Sequence, residues 1–359
     1  MTAGATEDTI MWQDKKRHLW LMGLIVPTLL IAVLPIVWGM NQFGWHAASQ
    51  VLFWIGPILL YVVLPALDQR FGADGQNPPV DVMEWLENDK YYRHCTYLFI
   101  PFQYLSVVLG AYLFTASNLS WLGYDGPLSW PAKIGLALSV GTLGGVGINT
   151  AHEMGHKKES LERWLSKITL AQTGYGHFYI EHNRGHHVRV ATPEDPASAR
   201  FGETFWEFLP RSVFGSLRSA WRLEAQRLRR QGASPWNPKT YLSNDVLNAW
   251  LMSVVLWGAL IAVFGLALIP FLIIQAVSAS ACWRRSTTSS TTDCCGRRTP
   301  MAGMSAARPS TAGTPTTSSP TCSCTTCSGT ATTTPTRPGA TRRCAAWTGR
   351  RICRAATRR

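Results

Sequence analysis

Long apolar segments alternate with short polar ones over the first 277 residues of the chain. Runs of bilayer-spanning length cover Leu19–Met40, Val51–Leu67, Tyr97–Phe114 and Ile134–Ile148. A last apolar block, Val246–Val277, exceeds one span, and Gly265 and Pro270 divide it into a fifth span and the start of a sixth. The pattern predicts an all-α integral membrane protein with about six transmembrane helices.

Basic residues give these spans an orientation. Lys15, Lys16 and Arg17 precede the first span, and further lysines follow the fourth span, where the chain reaches His152. Because cytoplasmic segments are enriched in Lys and Arg, both positions are predicted to be cytoplasmic. Bulky apolar residues and six arginines are interspersed along Phe205–Arg230, which predicts a helix packed on a cytoplasmic core or, as we favour, lying at the bilayer surface.

Net charge and cysteine content describe the C-terminal part of the chain rather than its apolar body. The chain carries +13, a value that suggests a nucleic-acid partner. Residues 278–359 contain thirteen Arg and one Asp, or +12, which leaves +1 for the rest. Eight of the nine cysteines also lie in this segment. The apolar body therefore has no basic surplus, and we expect no nucleic-acid partner.

Five of the nine histidines form two clusters, one at His152 and His156 and one at His182, His186 and His187. Side chains at i and i+4 share a helix face, so each cluster can direct two imidazoles at one ion. Neutral imidazole is a ligand for zinc, iron, copper and nickel. Five imidazoles exceed the needs of one tetrahedral ion and predict two metals.

The first cluster, HEMGH at 152–156, is also the zinc-protease signature, in which the glutamate is a general base. A zinc protease needs one further ligand rather than three further histidines. The repeated spacing likewise argues against a polar membrane edge that is merely rich in histidine. A metal site that activates a small molecule is the favoured hypothesis, and the protease is the alternative.

Two segments carry a family resemblance. NTAHEMGHK at 149–157 and YIEHNRGHHVRVATPEDPASAR at 179–200 resemble the first two histidine boxes of the membrane alkane monooxygenases, which are non-haem di-iron alkane hydroxylases. The wider superfamily includes membrane desaturases and xylene monooxygenases. The similarity extends from the first apolar run to about Val277. Residues Thr192–Pro196 favour the alkane branch over another di-iron hydroxylase or desaturase.

The resemblance implies an alkane 1-monooxygenase of the bacterial inner membrane, with its active site on the cytoplasmic side. Such enzymes convert n-alkanes to 1-alkanols with O2, two iron ions and electrons from rubredoxin and rubredoxin reductase. The implied metal ligands are His152, His156, His182, His186 and His187. Glu153 is a candidate catalytic residue or an acceptor for a histidine N–H. We expect His177 to be a structural, hydrogen-bonding residue rather than a ligand.

The composition changes abruptly after Val277. Residues 278–359 contain no Leu, Val, Phe, Tyr, His, Lys or Glu and are dominated by Thr, Ser, Arg, Ala, Pro, Gly and Cys. Such composition is typical of a disordered low-complexity tail. The pair Cys324 and Cys327 has the spacing of a rubredoxin-like iron site, but no second pair accompanies it.

A frameshift explains this tail better. The family carries further motifs resembling NYLEHYG, PEHSWNSN and LQRHSDHHANP in this region. Translated one base late, with codons ending in C or G, they give the residues at 287–293, 309–316 and 327–336, in the same order. We therefore predict a membrane-bound domain at 1–277, which is incomplete, and a frameshifted, disordered tail at 278–359. In this form the chain would be an inactive fragment.

Overall fold

The computed structural model describes residues 14–72, 78–79, 82–241 and 243–291, together with four two-residue strands beyond them. The α-helices are α1 Ile25–Gln42, α2 His46–Val51, α3 Ile55–Ile58, α4 Leu64–Phe71, α5 Met83–Asn88, α6 Lys90–Thr115, α7 Trp130–Gly155, α8 Ser160–Ala171, α9 Phe178–Glu181, α10 His187–Arg189, α11 Phe205–Arg230, α12 Asp245–Phe264 and α13 Ile269–Thr291. Turns of 3₁₀ helix cover Arg17–Leu24, Leu52–Trp54, Ser120–Leu122, Pro238–Thr240 and Leu266–Leu268, and π-helix covers Leu59–Val63 and His182–His186. The strands pair as β1 Arg298–Thr299 with β2 Gly303–Met304 and β3 Ala346–Trp347 with β4 Arg350–Arg351, both antiparallel.

The prediction of a helical membrane protein with six spans is confirmed. Within the described residues, six helical stretches are long and apolar enough to cross a bilayer: Arg17–Gln42, His46–Phe71, Lys90–Thr115, Trp130–Gly155, Asp245–Phe264 and Leu266–Ser286. The third and fourth spans extend beyond their apolar runs, because a capping side chain, Asp89 or Ser129, starts each helix in polar sequence.

Helix α7 is the centre of the bundle and is buried along most of its length. Its inward positions carry small residues, and neighbouring helices pack directly on its backbone. A Cβ atom on Gly141 would lie 2.5 Å from Cβ of Ser278, and one on Gly145 would lie 2.6 Å from Cβ of Cys282. Glycine thus allows α13 to approach α7 closely, as small residues do between membrane helices.

The second span is interrupted, and α7 satisfies the backbone group that the interruption frees. Pro57 has no N–H to donate to the Phe53 carbonyl one turn earlier. The Ser139 hydroxyl of α7 donates to this carbonyl at 2.7 Å and accepts the Gly56 N–H at 3.0 Å. Unpaired backbone groups are costly in a membrane, so Ser139 fixes where the second span crosses α7.

The sixth span does not end at Val277, where the apolar run stops, because α13 continues to Thr291. Arg284, which by hydropathy should end the span, is fully buried. Its guanidinium donates to the Tyr175 hydroxyl at 2.9 Å and to the Ser216 hydroxyl at 2.6 Å. These partners offset the burial of the charge. Most of the predicted tail lies outside the described residues, so the division at 277 remains a prediction.

Helix α11 coincides with the amphipathic segment identified in the sequence. A capping box between Thr204 and Glu207 starts it. Its buried stripe faces the helices that carry the second histidine cluster: Phe208, Ser212, Ser216, Ser219, Ala220, Glu224 and Leu228. Trp206 and Phe214 are exposed on the other side, so the helix packs on the protein by one face only, and its position at the bilayer surface remains a prediction.

The close contact between α7 and α13 can be tested with Gly141→Ala. The new methyl group would meet the Gln275 carbonyl oxygen at 2.6 Å, so we expect the free energy of unfolding in detergent to fall by about 1–3 kcal/mol. Gly258→Ala in α12 is the matched control, because nothing lies within 4 Å of its Cβ position. It should be neutral or gain up to about 1 kcal/mol. Equal thermal midpoints for both variants would contradict the packing described here.

Candidate metal centre

The first histidine pair lies where α7 ends. His152 occupies the last turn and His156 is the residue at which the helix stops, after Gly155. Because the two are four residues apart on one helix, their rings meet on the same face, and their Nε2 atoms are 2.9 Å apart. The predicted i, i+4 pair is present with the geometry expected from an α-helix.

The second pair is formed by His182 and His187 rather than by His182 and His186. The helix from Phe178 to Arg189 contains a π-helical segment at His182–His186. A π-helix closes its hydrogen bonds from i to i+5, so residues five apart come into line. The Nε2 atoms of His182 and His187 are accordingly 3.0 Å apart.

Gly185 permits the side-chain contact across this wide turn. Arg189 donates to the Glu181 carboxylate at 3.2 Å, and the pair passes directly over the glycine. A Cβ atom at position 185 would lie 2.7 Å from the Glu181 oxygen and 2.6 Å from the Arg189 nitrogen. Arg189 also donates to Ser219 of α11 at 2.6 Å, which ties the turn to that helix.

The two pairs converge on one point. The ligand nitrogens of His152, His156, His182 and His187 all lie within 4.8 Å of one another. We call these four residues the imidazole group. An ion bound at the usual metal–nitrogen distance in a tetrahedral site would separate its ligand nitrogens by roughly 3.3 Å. The imidazole group therefore fits a single ion after small movements of the rings.

Burial keeps these rings neutral. It lowers the pKa of His182, on which the neighbouring histidines act in the same direction, and it lowers the pKa of His156 and His187. A neutral imidazole has a free lone pair, so the rings are ready to bind a metal at neutral pH. His182 is buried, whereas His156 and His187 are exposed, and the group opens towards solvent on their side.

His186, the fifth predicted ligand, lies beside the imidazole group and contacts a carboxylate. Its Nδ1 is 2.8 Å from Oδ2 of Asp195, whose side chain is completely buried. An ionised carboxylate can only accept, so Nδ1–H of His186 donates this hydrogen bond, and Nε2 is the ring nitrogen left to face an ion. Burial alone would raise the pKa of Asp195, but hydrogen bonds from His186, Ser198 and the Ala197 N–H lower it.

Glu153, the candidate catalytic residue, lies beside His152 on the outer side of the imidazole group. Its side chain is 65% exposed, and its nearest carboxylate oxygen is 3.6 Å from Nδ1 of His152. It lines an open cleft together with Thr150 and Met154 of α7. Its role as a base or as an acceptor for His152 remains a prediction.

His177 lies in a closed aromatic environment below the second cluster. Its ring contacts Tyr175 and Trp250 at centroid distances of 4.6 and 6.3 Å. Neither ring nitrogen has a hydrogen-bond partner among the described residues. Burial, reinforced by the charge of Arg284, lowers the pKa of His177 to about 3. His177 is therefore neutral and held by packing, so the hydrogen-bonding role expected from the sequence is wrong.

A charged network fixes the second cluster to three other helices. Asp245 of α12 accepts from Lys167 of α8 and from Arg184 of the π segment, each at 2.9 Å. Glu224 of α11, which is fully buried, accepts from Arg184 and Arg227 and from the Asp245 N–H. Arg184 thus bridges two carboxylates and sets the orientation of the turn between His182 and His187.

Several residues of the site were missed by sequence reasoning. Asp195 lies in the segment at 179–200, but its contact with His186 was not predicted. A carboxylate nine residues after a histidine is a candidate for such a contact, because metal-binding histidines commonly donate their second N–H to a carboxylate. Trp283 packs 5.7 Å from His152 and 5.2 Å from Phe178, and its position in a segment of altered composition concealed it. The π segment leaves no signal in a single sequence.

Comparison with known proteins agrees with this centre. Residues 128–317 match the model of the fatty acid desaturase family. Alkane 1-monooxygenase of Pseudomonas putida is 42% identical over 263 residues, and alkane 1-monooxygenase 1 of Alcanivorax borkumensis is 42% identical over 264. Each match covers 73% of this chain and 60% of the relative. The xylene/toluene monooxygenase hydroxylase component of Pseudomonas putida is 35% identical over 118 residues, 32% of each chain.

The family match includes both histidine clusters, α11, α12 and α13, and it covers more than half of the chain. The chain spans about three fifths of the length of the alkane monooxygenases that it matches. A cluster of imidazoles that could hold a metal ion, in a bundle with six candidate spans among the described residues, fits the same assignment. The chain belongs to the fatty acid desaturase family.

Proposed function

We propose that the complete protein hydroxylates the terminal carbon of n-alkanes, as the name of its alkane 1-monooxygenase relatives indicates. The observation that carries the proposal is the imidazole group at the end of a membrane helix that also lines an apolar cavity. A metal site alone would fit many reactions. The same helix lines an apolar cavity as far as Val146, six residues before His152, and this cavity favours a hydrocarbon substrate.

The cavity has the chemistry that an alkyl chain requires. It is lined mainly by aliphatic side chains of α1, the second span and α7. The three hydroxyl groups in its lining, those of Ser106, Ser139 and Thr142, donate to backbone carbonyls. Val146 of α7 lines both this cavity and the cleft that reaches Glu153. An alkane lacks groups for hydrogen bonds, so a mainly apolar lining can bind it through burial of apolar surface. The bilayer supplies such a substrate directly.

Iron fits the donor set, because neutral imidazoles suit this metal. The imidazole group would hold one ion, and His186 would contribute to a second, with the remaining ligands supplied by the C-terminal part that the resemblance implies. Bound iron would supply the activation of O2, with one oxygen atom entering the C–H bond and the other leaving as water. Two electrons and two protons balance this reaction, and rubredoxin would deliver the electrons.

The exposed edge of the centre suits a soluble electron donor. His156 and His187 reach the surface, and Lys157 and Lys158 follow His156 directly in sequence. Lysines beside the centre attract an acidic partner and accelerate its docking. Rubredoxin from the cytoplasm is the donor that we propose, and it requires this side of a bacterial inner membrane to be cytoplasmic. The zinc-protease alternative loses support, because family membership favours oxidative chemistry.

We also propose that residues 278–359 result from a one-base frameshift. The packing of α13 supports this. Gly141 contacts Ser278 and Gly145 contacts Cys282, so α7 and α13 run in the same direction in constant register. Continued to the end of α13, this register places position 291 at the height of Met154. Position 291 is also seven residues after Arg284, on the face turned towards Tyr175. In the restored frame, NYLEHYG at 287–293 places a histidine at 291, between the levels of His152 and His156.

The ligand assignment predicts that His156→Ala or His186→Ala in the frame-restored protein abolishes hydroxylation without preventing membrane insertion. Loss of either imidazole removes a metal ligand, so iron content should fall with activity. His46→Ala is the control, because His46 is exposed and lies at the opposite end of the spans. Iron content and 1-octanol formation would be measured together. Normal turnover in either ligand variant would refute the assignment.

The orientation predicts that a reporter fused after Lys158 is cytoplasmic, whereas one near Asp125 faces the other side. The two positions flank α7, so they must differ if this helix crosses the bilayer. Paired alkaline phosphatase and fluorescent-protein fusions would provide opposite signals at the two sites. Activity of the phosphatase after Lys158 would contradict cytoplasmic docking of rubredoxin.

The frameshift predicts that the chain as written forms no alkanol, whereas a gene with one base restored near the Val277 codon hydroxylates a medium-chain alkane with rubredoxin and its reductase. The reason is the absence of any histidine after His187 in the present sequence. Insertion of a whole codon at the same place is the matched control and should restore nothing. Robust 1-alkanol formation by the unaltered chain would refute the frameshift.

A further inference from the structure

Two adjacent histidines, His186 and His187, could each pair with His182, but only one does so. In an α-helix the residue four positions after His182 shares its face, which would select His186. In the π segment the residue five positions later takes that place, and His187 joins the imidazole group. The π-helix is rare and less favourable than the α-helix, so a specific interaction must stabilise it.

Asp195 provides that interaction from outside the helix. Its Oδ2 is 2.8 Å from Nδ1 of His186 and accepts the Ser198 hydroxyl at 2.6 Å, and its Oδ1 accepts the Ala197 N–H at 3.0 Å. The carboxylate is completely buried and cannot exchange these partners for water. A charge-assisted bond of this kind is stronger than one between neutral groups.

The loop that carries Asp195 is itself fixed. Ala191 is the one non-glycine residue of the described chain with a positive φ, 62°. Its N–H donates to the Ser198 hydroxyl at 3.0 Å, which links the strained residue to the Asp195 contact. Because the loop holds Asp195 in place, His186 must move towards the carboxylate rather than the reverse.

We infer that Asp195 is a positioning residue that selects His187 over His186 for the imidazole group. By holding His186 through Nδ1, it keeps that ring, which stacks on His182 at a centroid distance of 5.3 Å, out of the imidazole group and stabilises the wide turn that aligns His187. It also leaves Nε2 of His186 free for a different ion. The inference rests on the metal part of the proposed function and is independent of the substrate and of alkane hydroxylation.

The experiment is a Co²⁺ titration of the full chain in detergent, which reads affinity and the visible spectrum of the bound ion. With Asp195 present, His187→Ala should weaken Co²⁺ binding at least about tenfold more than His186→Ala does. In an Asp195→Ala background the two losses should become equal, because His186 can then take the position at i+4. Supporting interactions of this kind typically change metal affinity by about 10–100-fold.

Two further variants separate positioning from general damage. Asp195→Asn keeps the size and, with its oxygen towards the Ala197 N–H, the Oδ1 acceptor, but the NH2 group that then replaces Oδ2 cannot accept from Nδ1–H of His186. Ser198→Ala removes two hydrogen bonds of the loop and leaves the contact between His186 and Asp195. Asp195→Asn should equalise the two histidine losses, whereas Ser198→Ala should preserve the preference for His187. If Asp195→Ala fails to fold, the Asn background carries the same comparison.

The inference is overturned if the preference for His187 persists in every folded Asp195 variant, or if Ser198→Ala abolishes it equally. Failure of the unmodified chain to bind Co²⁺ would overturn the metal centre and this inference together. Absence of alkane hydroxylation with Co²⁺ binding intact would affect only the proposed reaction, so the two failures are distinguishable.

Discussion

The structure depends on one constraint: four neutral imidazoles must direct their lone pairs at one point where a membrane helix meets water. Burial supplies the neutrality, since it lowers the pKa of His156, His182 and His187 and so leaves their lone pairs free. Convergence is harder, because crowded rings gain little from one another without an ion. It has to be imposed by the helices that carry them.

Two devices impose it, one on each histidine pair. The first pair is fixed by α7, whose glycines let α13 lie against its backbone and whose Ser139 replaces the hydrogen bond lost at Pro57. The second pair is fixed by charge, through Arg184 between Glu224 and Asp245. A buried carboxylate such as Glu224 stabilises the fold only when several donors surround it. Here two guanidinium groups and a backbone N–H do so.

The sequence predicted the features that follow from simple periodicity. Apolar length located all six spans, and the i, i+4 rule located the pair of His152 and His156. Prediction from the sequence failed where a tertiary contact overrides the local rule. The α-helical rule pairs His182 with His186, whereas Asp195 and the π segment pair it with His187. Hydropathy ended the sixth span at Val277, because it counts Arg284 as a cost whatever hydroxyls surround it.

The imidazole group also bears on the proposed frameshift. The four imidazoles account for one ion, and two irons held mainly by imidazole need further ligands. A second ion therefore needs ligands from outside the imidazole group. His186 is the one histidine of the two clusters that lies outside the imidazole group. Asp195 holds its Nδ1, and its Nε2 remains available to a second ion. The remaining ligands must approach from the side faced by α13, where Trp283 now packs on His152. A continuation of α13 that carries histidines would meet this requirement. The proposed frameshift, the available Nε2 of His186 and the proposed reaction are linked in this way.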